Sequence, residues 1–97
     1  MRSWVMTITS EQARALLRTN TRNRPLKNHH VAALRHQMES GLWVFDAAPL
    51  RWDSENVLLD GQHRLHALAQ TSGLSFEFLV VHGLDFSVQK MMDQGSK

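Results

Sequence analysis

The run Phe76-Glu77-Phe78-Leu79-Val80-Val81-His82 is the strongest strand-forming stretch of the chain, aromatic and β-branched along most of its length. A shorter apolar run, Val57-Leu58-Leu59, precedes it. Between the two lies Gly61–Ser72, with Leu65, Leu68 and Ala69 on one helical face and Gly73 at the stop. Strand, helix, strand in that order implies a crossover, which predicts that Val57–Leu59 and Phe76–His82 lie parallel in one sheet. Ala48–Trp52 reads as a further strand, joined to Val57 through the turn residues Asp53-Ser54-Glu55-Asn56 as a β-hairpin.

The first half of the chain is helical in pattern. Thr9-Ser10-Glu11-Gln12 has the Thr and Gln of a capping box, and Ala13, Leu16 and Leu17 continue a short amphipathic helix to about Thr19. Asn20 to Pro25 is a polar turn, extended at Arg24 because the following proline disfavours helix there. A second helix is predicted from Asn28, as N-cap, to Ser40, with Gly41 beyond its end and Val31, Leu34 and Met38 facing inward. Leu42, Trp43 and Phe45 follow as residues that close the core. Trp52 is read the same way, Trp4 lies near the N-terminus, and a last short helix is placed at Ser87–Met92. The fold class is α/β (α+β): a short mixed sheet with flanking helices.

At 97 residues the chain is one domain, 1–97, read as a stand-alone module or as the front part of a longer protein. Apolar residues at 42% and charged residues at 21% are a globular balance and exclude a disordered chain. Without cysteine there is no disulfide framework, zinc ribbon or thiol nucleophile. No apolar run approaches the roughly 18 residues of a membrane span, and Met1–Thr7 lacks a signal-peptide core. A cytoplasmic domain without a membrane partner is expected.

Charge is unevenly placed. Residues 1–36 carry seven basic groups (Arg2, Arg14, Arg18, Arg22, Arg24, Lys27, Arg35) against Glu11 alone, whereas residues 37–97 carry four basic and eight acidic groups. Such a half attracts phosphates, or is an ordinary solvated helical face. Charge alone leaves both readings open.

The chemistry concentrates at one junction. In Leu58-Leu59-Asp60-Gly61-Gln62-His63-Arg64-Leu65 a buried strand runs into a helix, with five polar or glycine residues at the joint. A helix start offers unsatisfied N–H groups and about half a positive charge. Gly61 would let an anion approach the backbone, and Arg64 in the first turn could add a bidentate fork for phosphate oxygens. Asp60 is the expected N-cap. The alternative is a plain helix start, with His63 and Arg64 as surface residues.

Asp60-Gly61-Gln62-His63-Arg64-Leu65 resembles the signature turn of the ParB/sulfiredoxin superfamily, in its DGQHR-containing branch. Asn23-Arg24-Pro25 sits where partition-type ParB proteins carry a Gln-Pro-Arg box, and the order of helices and strands from Thr9 to Lys97 is similar. The resemblance implies a small α/β domain whose strand-to-helix turn binds nucleotide phosphates. By it, Gly61, Gln62, His63 and Arg64 form the cradle and Arg24 approaches from the preceding loop. Asp60 or His63 would do any acid–base work. The implied ligand is a nucleoside triphosphate, CTP or ATP, with Mg2+ as its companion ion. Sulfiredoxins place their catalytic cysteine where this chain has Gln62, so sulfinic acid reduction is excluded. Partition-type members have Gly-Glu-Arg-Arg in this turn and a later Glu-Asn box that has no counterpart after His82.

Other constellations carry less. His63 and His66 share a helix face with Asp60 nearby, but no fourth ligand is marked, and His29, His30 and His36 read as surface residues. Asp60 and Glu77, or Asp53 and Glu55, are the carboxylates available to hold a metal, and the latter pair fits turn chemistry. A Ser/His/Asp hydrolase arrangement finds no serine on a suitable elbow. The sequence therefore predicts a nucleotide-binding domain, with slow NTP hydrolysis left open, in a bacterial plasmid, phage or chromosome maintenance context. The alternatives are a DNA-binding or nuclease-like module using the basic half, and an interaction module that keeps the fold without the ligand. A homodimer is among the arrangements left open.

Overall fold

The computed structural model describes residues 1–84. Its elements run β1 (Arg2–Thr9), α1 (Ser10–Leu16), a 3-10 turn over Leu17–Thr19, α2 (Asn28–Glu39), β2 (Pro49–Asp53), β3 (Leu58–Asp60), α3 (Gln62–Gln70) and β4 (Ser75–Leu84). The helix expected at Ser87–Met92 lies outside the described residues. The four strands form one mixed sheet in the order β1-β4-β2-β3. The mixed α and β class read from the sequence is the architecture observed.

β4, the most apolar strand, takes a central place between two partners. It pairs antiparallel with β1 from Arg2↔His82 to Thr9↔Ser75 and parallel with β2, Leu50 opposite Val80. The expectation that Val57–Leu59 and Phe76–His82 lie parallel is corrected. β3 pairs antiparallel with β2 at the sheet edge, so it runs opposite to β4 with β2 between them. With only three residues, the last of them the polar Asp60, β3 cannot offer the ladder that β4 requires, and β2 supplies it.

β1 was not anticipated, although Trp4, Met6 and Ile8 alternate with polar residues or Val5 at the strand period. Its inward row packs beside Phe76, Phe78 and Val80 of β4. The opposite sheet face carries Ser3, Val5, Thr7 and Glu77, all exposed, so among the described residues the sheet is covered on one side.

The core lies between the sheet and the helices. Ile8, Leu50, Trp52, Leu58, Phe78 and Val80 meet Ala13, Val31, Met38, Leu65, Ala67 and Leu68, all buried. Trp43 packs its ring against Phe76 and Phe78, as expected of a core-closing residue. Leu42 and Phe45 do not close the core: they are 64% and 43% exposed. The reason is local. α2 ends at a left-handed Gly41 (φ 73°), with the Leu42 N–H donating to the Gln37 carbonyl, and the chain leaves with only Trp43 turned inward.

The capping box forms as predicted. The Thr9 hydroxyl accepts from the Gln12 N–H at 3.0 Å, and the Gln12 side chain accepts from the Thr9 N–H at 2.9 Å. This pair turns β1 directly into α1. Thr9→Ala is expected to lower stability by about 1 kcal/mol, read as a melting temperature lower by about 4–8 °C. An unchanged melting temperature would show that the junction is held elsewhere.

Candidate functional site

The strand-to-helix junction is built on Gly61. It is the N-cap of α3 with φ 103° and ψ 13°, a left-handed conformation that residues with a Cβ adopt at a cost. The expectation that Asp60 caps the helix is corrected: Asp60 ends β3, and its carboxylate lies 3.8 Å from Arg51. The space beside Gly61 is not open to a ligand either. A Cβ there would run into the side chain of Leu50 and come within 3.3 Å of the Arg64 guanidinium. The glycine is thus required twice, once for the turn and once for the packing of β2 beneath it.

Each polar side chain after Gly61 bonds a different neighbour. Gln62 is buried. Its carbonyl accepts from the Asn20 amide at 3.0 Å, and its amide donates to the Arg24 carbonyl at 2.9 Å. Asn23 donates to the Leu58 carbonyl at 2.8 Å, so the loop before α2 is held against both α3 and β3. His63 accepts the Lys27 N–H at Nε2, 3.1 Å away. Lys27, not Asn28, is the N-cap of α2, and no side chain of α2 caps it. The cap comes instead from α3. Arg64 donates to the Ala48 and Pro49 carbonyls at 2.6 and 2.7 Å, clamping the start of β2. The fork the sequence assigns to phosphate is therefore engaged with the protein backbone.

These contacts bring the predicted residues together. Arg24, Asp60, Gly61, Gln62, His63 and Arg64 line a single cavity of about 450 Å3. Asn23, His30, Ala33, Leu34 and Leu59 complete it. Ala33, Leu34 and Leu59 give one apolar wall, while Arg24, His30, His63 and the start of α3 give a basic one. The first N–H groups of α3 have no intrahelical acceptor, and among the described residues no side chain caps them, so the helix start can accept an anion by its backbone.

His30 is the cavity residue that the sequence reading placed on the plain surface. Its ring meets the His63 ring edge-on, centroids 5.6 Å apart. The signal was available, since α2 begins just after the Arg24 loop and its first turn must face the α3 start. His29, His36 and Glu77 do not line this cavity, and Asp53 is turn chemistry: buried, it accepts the Glu55 and Val57 N–H groups at 2.9 and 2.8 Å.

Among the described residues no group of three or more His, Asp or Glu side chains is placed to hold a metal ion. Asp60 is the one carboxylate among the described residues that lines the cavity.

Burial holds the His63 imidazole below its ordinary 6.5, and repulsion from His30, Lys27, Arg24 and His66 adds to this. His66 is also held low, by burial. Burial likewise lowers Arg64, with Asp60 and Asp46 opposing it. The neutral form of His63 is the one that can accept at Nε2.

Two predictions follow from this geometry. Gly61→Ala should destabilise by roughly 2–4 kcal/mol, because left-handed strain and overpacking against Leu50 act together. Gly41→Ala and Gly73→Ala, with φ of 73° and 74° but open space, should cost only the strain. Equal losses in all three, measured by urea unfolding, would refute the packing role. The unfolded chain protonates His63 near 6.5 and the folded chain only at lower pH, so its contribution to stability is complete above 6.5 and is lost as the pH falls through the folded value. His63→Gln, which keeps an acceptor but does not titrate, should flatten stability between about pH 7 and 5, with a residual slope from His66. An unaltered slope would show that His63 is not a source of the acid sensitivity.

Comparison with protein-family models, with curated proteins and with solved structures finds no match for this chain, so the reading of its function rests on the cavity and on the residues that line it.

Proposed function

We propose that this domain binds a nucleoside triphosphate in the cavity at the start of α3. The phosphates sit on the backbone N–H groups of Gln62, His63 and Arg64, with Arg24 and His30 beside them. The supporting observation is convergence: the turn residues, the Arg24 loop and the first turn of α2 meet around one cavity of about 450 Å3. The apolar wall of Ala33, Leu34 and Leu59 gives a nucleoside a surface to lie on, which a free phosphate site would not need. The resemblance of Asp60–Leu65 to the ParB/sulfiredoxin turn points the same way.

The chemistry of this site is binding first. The helix start and the basic wall stabilise the negative charge, and Asp60 can take part in holding a magnesium ion brought by the triphosphate. The Nε2 of His63 already accepts a backbone N–H, so a base role would require that bond to open. The DNA-binding alternative draws on the basic first half, in which Arg35 is paired with Glu39 at 3.1 Å.

Thermal unfolding with ATP, CTP, GTP and UTP, each with and without magnesium, tests the proposal. A nucleotide at about 100 times its dissociation constant stabilises by about 2.7 kcal/mol, a rise on the order of 10 °C or more for a domain of this size. Arg24→Glu should abolish the rise while leaving the circular dichroism spectrum intact. No rise with any nucleotide would contradict the proposal. Binding to DNA that falls steeply with salt would then support the alternative.

A further inference from the structure

Arg64 stands in the wall between two cavities. One is the candidate site; the other is bounded by Leu42, Trp43, Val44 and Ala48. Its two terminal nitrogens hold the Ala48 and Pro49 carbonyls at 2.6 and 2.7 Å. Those carbonyls end a segment whose apolar side chains face solvent, Leu42 at 64%, Val44 at 74% and Phe45 at 43% exposure. The segment includes Ala47 at φ 61°, a left-handed conformation that an alanine holds only under constraint. Trp43 anchors one end of it on Phe76 and Phe78, and the Arg64 clamp fixes the other.

We propose that Arg64 couples the two cavities: an anion seated at the start of α3 draws the guanidinium off the Ala48 and Pro49 carbonyls and releases the 42–48 segment. The inference rests on the reading of the first cavity as a phosphate site. Three features favour the exchange. Arg64 lines the same cavity as Gly61, Gln62 and His63, so its guanidinium lies near the helix start proposed for the anion. A phosphate oxygen carries charge and accepts more strongly from a guanidinium than a neutral carbonyl does. The residues released, Ala48 and Pro49, are only half-buried, so water can satisfy their carbonyls. The consequence is the reverse of ordinary ligand tightening, since occupancy at one cavity loosens an apolar segment beside the other.

Hydrogen exchange of the full chain tests this, with inorganic tripolyphosphate as the probe and segments 42–50 and 61–64 followed separately. In the unaltered protein, tripolyphosphate should slow exchange at 61–64 and speed it several-fold at 42–50. Arg64→Ala should show fast exchange at 42–50 without the probe and no further rise with it. Arg64→Lys, which keeps the charge but can hold only one carbonyl well, should lie between and guards against a misfolded alanine variant. Protection at 61–64 with no change at 42–50 would overturn the coupling and leave the phosphate site standing. No protection at 61–64 at any concentration would reject the phosphate site and the coupling with it.

Discussion

The left-handed turn at Gly61 is the constraint on which the rest of the site depends. β3 and α3 are joined by a single residue, and the space a side chain would fill is taken by Leu50 from the neighbouring strand. β2 can therefore lie directly beneath the helix start, which brings the Ala48 and Pro49 carbonyls within reach of Arg64. Lengthening this joint would separate the helix from the strand it clamps. The cavity exists because the joint is short.

From that joint, three consecutive side chains tie α3 to three different parts of the fold. Gln62 holds the loop that carries Arg24, His63 caps the first turn of α2, and Arg64 fastens β2. A run of polar residues of this kind invites reading as a ligand set. In this molecule the same residues are the scaffold of the cavity, and backbone N–H groups, Arg24 and His30 are what they arrange around it. The two roles are compatible, since binding groups must be held in place by others. They predict different responses to mutation: loss of a scaffold residue moves neighbouring segments even without ligand.

Much of this was legible in the sequence where the signal is local. The Thr9–Gln12 capping box, the Gly41 stop of α2, the Asp53–Asn56 hairpin turn and the strand at Phe76–His82 all depend on residues close in the chain, and all are found. The family resemblance implied that Arg24 approaches from the preceding loop, and Arg24 lines one cavity with the Asp60–Arg64 turn. What could not be read was non-local. Strand order follows from which ladder β4 completes, not from β4 itself, so the hairpin's inner strand rather than its outer one became the parallel partner. The Gly61 side-chain space looked vacant because nothing in the sequence says that Leu50 fills it. The cap of α2 came from His63, some 36 positions away, where sequence rules look only to adjacent residues.

The central claim is that phosphate-bearing ligands settle on the start of α3. Mapping amide resonances by NMR during titration with the nucleoside triphosphates tests it most directly. The account predicts the largest shifts at Gly61, Gln62, His63 and Arg64, with accompanying shifts at Arg24 and His30, while Gly73 at the far end of α3 stays still. Shifts absent at every concentration, or centred on β1 and the far sheet face, would contradict it.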